Sequence, residues 1–260
     1  MYKLPGAPLS FGGILDDGFK LFKASWKKLL PISVVASVLS TIPQLMIERL
    51  DQIKPTEEPG LPAIGVGAVL TFILIIVLSI VAYSMLLAGT HQAAQSQSLS
   101  LGSAVRLGLA RAPALLGAIV LSLLAIIFGS ILVIPGLWLM VALFPAFLVP
   151  VVERLGPVSS LARAVKLVQG AWWRTAGILT VMFLIVAALI YALQIISALV
   201  VLPFMVRSPT QLVTTAALLA AVLTAPLAPL GYCLMYAVYT DLRLRKDGGD
   251  LLSRAQAAGA

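Results

Sequence analysis

Six stretches of this chain, at about 29–47, 61–89, 113–134, 137–152, 175–206 and 212–239, are apolar over lengths close to what a helix needs to cross a bilayer. A helix rises about 1.5 Å per residue, so about 20 residues cover roughly 30 Å of hydrocarbon. No backbone amide can stay unpaired in that medium, and a helix pairs its amides within one segment. The runs therefore predict an all-α, polytopic membrane bundle of six transmembrane helices. Composition agrees, with 60% hydrophobic and 11% charged residues against about a quarter charged in soluble proteins. The membrane domain is expected over 1–240 and a polar tail over 241–260.

Charge orients the bundle. Lys and Arg near helix ends favour the cytoplasmic side. Lys3, Lys20, Lys23, Lys27 and Lys28 precede the first run; Arg106 and Arg111 fall between the second and third; Arg154, Arg163, Lys166 and Arg174 fall between the fourth and fifth; Arg243, Arg245, Lys246 and Arg254 follow the sixth. Six crossings place all of these on one side, leaving Arg49, Lys54 and Arg207 for the other. Both termini are thus expected in the cytoplasm. The fourth run is short and holds Pro145 and Pro150, so it is either a kinked span or a re-entrant segment, and charge favours the span. Pro135-Gly136 is expected to make the tight turn before it. The stretch before the first run has no cleavable-signal pattern, which predicts that the mature chain keeps its N-terminus.

A unit recurs along the chain: a segment of helical periodicity, too charged to cross, followed by two spans. Three such interfacial helices are expected, at about 10–27, 99–112 and 157–173. In the first, Phe11, Ile14 or Leu15, Phe19, Phe22 and Trp26 recur at three- or four-residue steps, with Asp16, Asp17, Lys20, Lys23 and Lys27 largely opposite and Ser10 as N-cap. In the third, Val158, Leu161, Val165, Val168 and Trp172 face Ser159, Arg163, Lys166 and Arg174. The second is weaker; it shares Ser100, Gly102 and Gly108 with Ser10, Gly12 and Gly18 of the first at a fixed offset. Such helices suit the headgroup level of an anionic leaflet. Lys20, Lys23, Trp26, Lys27, Arg163, Lys166, Trp172, Trp173, Arg174, Arg243, Arg245 and Lys246 are the predicted membrane-interface residues. Packing as ordinary connectors beneath the bundle is the alternative.

Chemistry has few residues to work with. His91 is the lone histidine and Cys233 the lone cysteine, so histidine-rich metal sites and intrachain disulfides are excluded, and an active centre would have to rest on His91 and Glu153. The "GVGAVL" at 65–70 lacks the third glycine of a dinucleotide loop. No catalytic, cofactor-binding or metal site is expected, and no nucleic-acid partner. Glu48 and Glu153 read as boundary pairs with Arg49 and Arg154. Gln44 and Gln194 are the main polar residues inside apolar runs, suited to interhelical hydrogen bonds. Pro31, Pro43, Pro145, Pro150, Pro203, Pro226 and Pro229 could mark the broken helices of a transporter, whereas simple kinks are the commoner outcome. Ala125 with Gly129, and Ala217, Ala221 and Ala225, permit close helix packing within the bundle or between subunits.

Three segments, "GILDDGFKLFKASWKKLL", "FPAFLVPVVERLGPVSSLARAVKLVQGAWWRT" and "YTDLRLRKDGGDL", resemble a bacterial family: the six-span membrane domain fused to some glycerophosphoryl diester phosphodiesterases, together with stand-alone YciC-type inner-membrane proteins. The resemblance implies a bacterial inner-membrane location and no enzymatic activity, because the family's phosphodiesterase chemistry belongs to a separate soluble barrel. The leading expectation is a non-enzymatic protein in an envelope or lipid-related role, or a partner of another membrane protein or of a second copy. A transporter or channel for an apolar or lipid-like solute is the competing one, needing a cavity lined by Gln44, Gln194 or Tyr191. In the tail, Asp241 is placed to pair with Arg245 at four-residue spacing, and Gly248-Gly249 is expected to release the chain.

Overall fold

The computed structural model describes the backbone of residues 2–51, 66–95, 101–201 and 219–258, and the side chains within 2–38, 69–95, 102–200 and 219–248. The expectations on Pro43, Gln44, Glu48, Arg49, Lys54, Ser100, Pro203, Arg207, Ala217 and Arg254 lie outside the described side chains.

Among the described residues the secondary structure is helical throughout. In chain order it comprises α1 (Phe11–Asp51), α2 (Val66–Ala94), α3 (Leu101–Ser130), α4 (Ile134–Ala142), a 3-10 turn (Phe144–Phe147), α5 (Val149–Val152), α6 (Pro157–Val168), α7 (Trp172–Val201) and α8 (Leu227–Ala258). Four stretches are long and apolar enough to cross a membrane: Val69–Ala94, Gly102–Ser130, Trp172–Val200 and Leu219–Gly248.

Two expected boundaries vanish. The first interfacial segment and first apolar run form one continuous α1, passing through Pro31. The second segment likewise continues into α3, with Pro113 inside the helix. Long helices absorb a proline as a kink. Only the third segment is a separate helix, and its sequence says why: Gly170 takes φ +89°, a left-handed conformation that closes a helix C-terminus. The Gln169 N–H caps onto the Val165 carbonyl, and α7 starts at Trp172. At the other end of the chain, α8 runs through Gly248-Gly249 to Ala258 instead of ending there. The expected tail therefore begins inside a helix.

The fourth apolar run is broken. Its nine-residue α4 covers only about 14 Å. Pro145 then sits in the first turn of the 3-10 segment and Pro150 in that of α5, where a missing N–H costs nothing. The turn before α4 falls at 131–133, not at Pro135-Gly136. The same rule explains the shift, because Pro135 is better placed in the first helical turn. Phe144, Leu148, Val149 and Val151 are buried in the main core with Ile14, Leu21, Leu87, Leu167, Ile178, Tyr239 and Leu242.

Helices α2 and α3 form an antiparallel hairpin with very close backbones. A Cβ on Gly108 would lie 2.6 Å from the Met85 Cα, and the Ser84 hydroxyl donates to the Gly108 carbonyl at 2.8 Å. Gly108→Ala must push the two backbones apart. We expect it to cost about 1–3 kcal/mol, read as a lower Tm in detergent. In the same helix, Ser122 is fully buried and its hydroxyl has no partner among the described residues. Ser122→Ala removes that unpaired group and is expected to stabilise the protein by about 1 kcal/mol, so the two substitutions move Tm in opposite directions.

Candidate functional site

Polar side chains gather at the end of the bundle where α1 begins, α6 lies and α8 leaves the core. Along α8, Asp241 and Arg245 lie four residues apart, and so do Tyr239, Arg243 and Asp247. Four-residue spacing stacks side chains on one helix face, so α8 presents two polar faces to two different neighbours.

The first face makes a clasp around Asp241, which is 1% exposed. Its carboxylate accepts the Leu9 N–H at 2.8 Å, the Arg245 Nε at 2.9 Å and the Arg174 Nη1. The expected Asp241–Arg245 pair is present, joined by a second arginine from the start of α7. Both guanidiniums then donate an Nη2 to the Leu9 carbonyl, each at 2.8 Å. Leu9 thus has both backbone groups held, and the segment before α1 is pinned across α7 and α8. Ser10 follows, and its Oγ accepts the Gly13 N–H at 3.2 Å as the N-cap of α1.

The second face makes a four-charge centre. Arg163 of α6 donates its Nε to both Glu153 oxygens, at 3.1 and 3.0 Å, and its Nη2 to both Asp247 oxygens, at 3.0 and 2.9 Å. Tyr239 donates to Glu153 at 2.7 Å, and Arg243 to Asp247 at 3.3 Å. Two carboxylates and two guanidiniums balance in charge. Glu153 therefore pairs with Arg163 and not with Arg154, because Arg154 adopts a left-handed φ of 59° and leaves its carbonyl for Arg111 at 3.2 Å. His91 Nδ1 lies 3.0 Å from the Tyr236 hydroxyl, and the Tyr236 and Tyr239 rings are 6.1 Å apart. The histidine and the glutamate are thus joined through two tyrosines, with Glu153 already bonded to Arg163 and Tyr239.

A third contact ties down the N-terminal segment: Tyr2 donates to Asp17 at 2.7 Å. Asp17 is buried, contrary to the expectation that it shares the charged side of α1. Burial pushes its carboxyl pKa up, although the Tyr2 hydroxyl opposes this. A carboxyl whose folded pKa is raised adds stability below its unfolded pKa, and that stability is lost as pH rises through the folded pKa. Asp17→Asn is expected to flatten this fall in a Tm-against-pH series running upward from the ordinary carboxylate range.

The other predicted interface residues stand outside these centres. Lys20, Lys23 and Lys27 are exposed on α1. Lys20 pairs with Asp16, and Lys27 sits 5.8 Å from the centre of the half-buried Trp26 ring. Lys166 is exposed on α6. At the foot of α7, Trp172 donates to the Trp138 carbonyl at 3.1 Å and meets Trp173 edge-on at 4.7 Å; Trp173 is 84% exposed. Lys246 is half-buried. Tyr191 and Gln194 are exposed on α7.

Helix α6 has three sectors where the sequence suggested two. Ser160, Ala164, Leu167 and Val168 are buried against the protein. Ser159, Lys166 and Arg163 form the polar sector. Val158, at 73% exposure, lies with Ala162, Leu161 and Val165 in an apolar sector facing away from the core. The first half of α1 repeats the arrangement: Ile14, Asp17, Leu21 and Ser25 are buried, Asp16, Lys20, Lys23 and Lys27 form the charged side, and Phe11 and Phe19 are exposed between them.

The fold and its end-on polar centres define a class: an all-helical protein with several helices apolar enough to cross a membrane, consistent with a multi-pass membrane protein. Compared with family models, curated proteins and solved structures, the chain matches none.

Proposed function

We propose that this chain is a non-enzymatic, multi-pass protein of the bacterial inner membrane whose ion-paired end lies at the cytoplasmic headgroup level. There it acts as a platform for the anionic bilayer surface and for a membrane-protein partner. The three-sector geometry of α6 and early α1 carries the reading. A helix that buries one side in protein needs only two kinds of surface in a soluble setting. A third, apolar and outward, is what a helix lying at the bilayer boundary requires. The exposed Trp173 at the foot of apolar α7 supports the same level, since tryptophan concentrates at membrane interfaces. The two polar centres join the second and third of the segments that carry the family resemblance, which supports treating those two as one unit. Six crossings with both termini inside complete the proposal, with the apolar part of α1 and the broken fourth run as the first and fourth.

Cysteine labelling tests the topology. In a Cys233→Ala background, a membrane-impermeant maleimide added to intact spheroplasts is expected to label Glu58→Cys and to spare Ser159→Cys, which reacts only after lysis. Labelling of Ser159→Cys in intact spheroplasts would overturn the orientation.

A further inference from the structure

A cleft of about 750 Å³ opens beside the Asp241 clasp. Gly6, Ala7 and Pro8 of the pinned N-terminal segment form one wall; Leu167, Gly170 and Ala171 another; Leu242, Leu244 and Lys246 of α8 the third, with Arg174 and Arg245 on its border. Three cations face one carboxylate here among the described side chains. Asp241 and the Leu9 carbonyl engage two N–H groups of each arginine, and a guanidinium has five. Donors on both remain for an anion. Lys246 adds a third positive group, and no ion pair to it occurs among the described residues.

We propose that this cleft binds the phosphate of an anionic phospholipid. The charge and the fork-shaped donors select a phosphate oxygen pair. The leucine walls select an amphiphile over a fully hydrated ion. Position selects a lipid over a soluble phosphate ester: Ala171 and Arg174 bracket Trp172 and the highly exposed Trp173, where the apolar length of α7 begins. The headgroup is therefore at hand once α7 is in the bilayer. Because Arg174 and Arg245 are already fixed by Asp241, the site is set before the lipid arrives, and little side-chain ordering opposes binding. The inference rests on the membrane reading above.

The test uses the full chain purified in a neutral detergent, titrated with dihexanoyl phosphatidylglycerol, dihexanoyl phosphatidylcholine, glycerol 3-phosphate and inorganic phosphate, with binding followed by native mass spectrometry. Saturable binding of phosphatidylglycerol, weakened about fivefold by Lys246→Gln, restored by Lys246→Arg and untouched by Lys28→Gln, is the expected result. Lys246 is half-buried but outside both ion-paired centres, and glutamine keeps most of its length, so Lys246→Gln is expected to keep a Tm close to the wild type. Binding that ignores Lys246→Gln, or no binding, overturns the site. Equal binding of glycerol 3-phosphate or inorganic phosphate overturns the lipid as its source. Co-flotation of the same protein with phosphatidylcholine liposomes checks membrane insertion separately, so a chain that floats but does not bind refutes only this inference.

Discussion

Asp241→Ala is expected to be the most damaging single substitution in the described chain, lowering stability by about 3 kcal/mol. The magnitude follows from what is stranded. A carboxylate that is 1% exposed holds two guanidiniums and a backbone N–H, and breaking a buried ion centre by removing one partner costs about 3–5 kcal/mol. The lower figure applies because both arginines are part-exposed and water recovers some of their solvation. Asp241→Asn separates charge from hydrogen bonding. It can still accept the Leu9 N–H, so about half the loss is expected. The effect also has a location: without the clasp, residues 2–9 lose their anchor on α7 and α8. Limited proteolysis of Asp241→Ala in detergent should cut this segment well before the helices, and uniform protection of it would contradict the account.

Arg163→Met is the second large effect, expected to cost about 2–3 kcal/mol. It strands Glu153 and Asp247, which otherwise share one guanidinium, although Asp247 keeps Arg243. The diagnostic is the double substitution. Glu153→Gln removes the orphaned charge while its side-chain carbonyl still accepts from Tyr239, so Arg163→Met/Glu153→Gln should recover much of the loss. A coupling of at least about 1 kcal/mol in the double-mutant cycle is expected from Tm or denaturant midpoints. Additive losses would mean that Arg163 acts by packing alone.

What the sequence made legible follows from the range of each interaction. Apolar length is a local property, and the stretches around α2, α3, α7 and α8 were found from it. The Asp241–Arg245 pair was legible because four-residue spacing on a helix is local as well. Its partners were not: Leu9 is 232 positions from Asp241 and Arg174 is 67 away. Only the path of the chain could bring them together.

Helix α6 shows a different kind of failure. Its apolar stripe was read correctly as a pattern and wrongly as a single face, because hydrophobicity does not tell protein from lipid as the neighbour. The side packed against protein holds Ser160 and Ala164, which permit close approach, together with Leu167 and Val168, while Val158 turns outward and Val165 is half-exposed beside it. Glu153 was given to Arg154 by adjacency in sequence. The left-handed turn at Arg154 undoes that, and no local propensity announces it in an arginine. The fourth run kept its apolar character but not its continuity, since Pro145 and Pro150 both act as helix starts.

The central claim is that α6 lies at the bilayer surface with one sector in protein, one in water and one in lipid. Nitroxide labels at positions 158, 159, 165 and 166 of the full chain, reconstituted in bilayers with anionic lipid, test it by the ratio of oxygen to nickel-chelate accessibility. High ratios at 158 and 165 with low ratios at 159 and 166 are predicted. Ratios equally low at all four positions would place α6 in water and contradict the account.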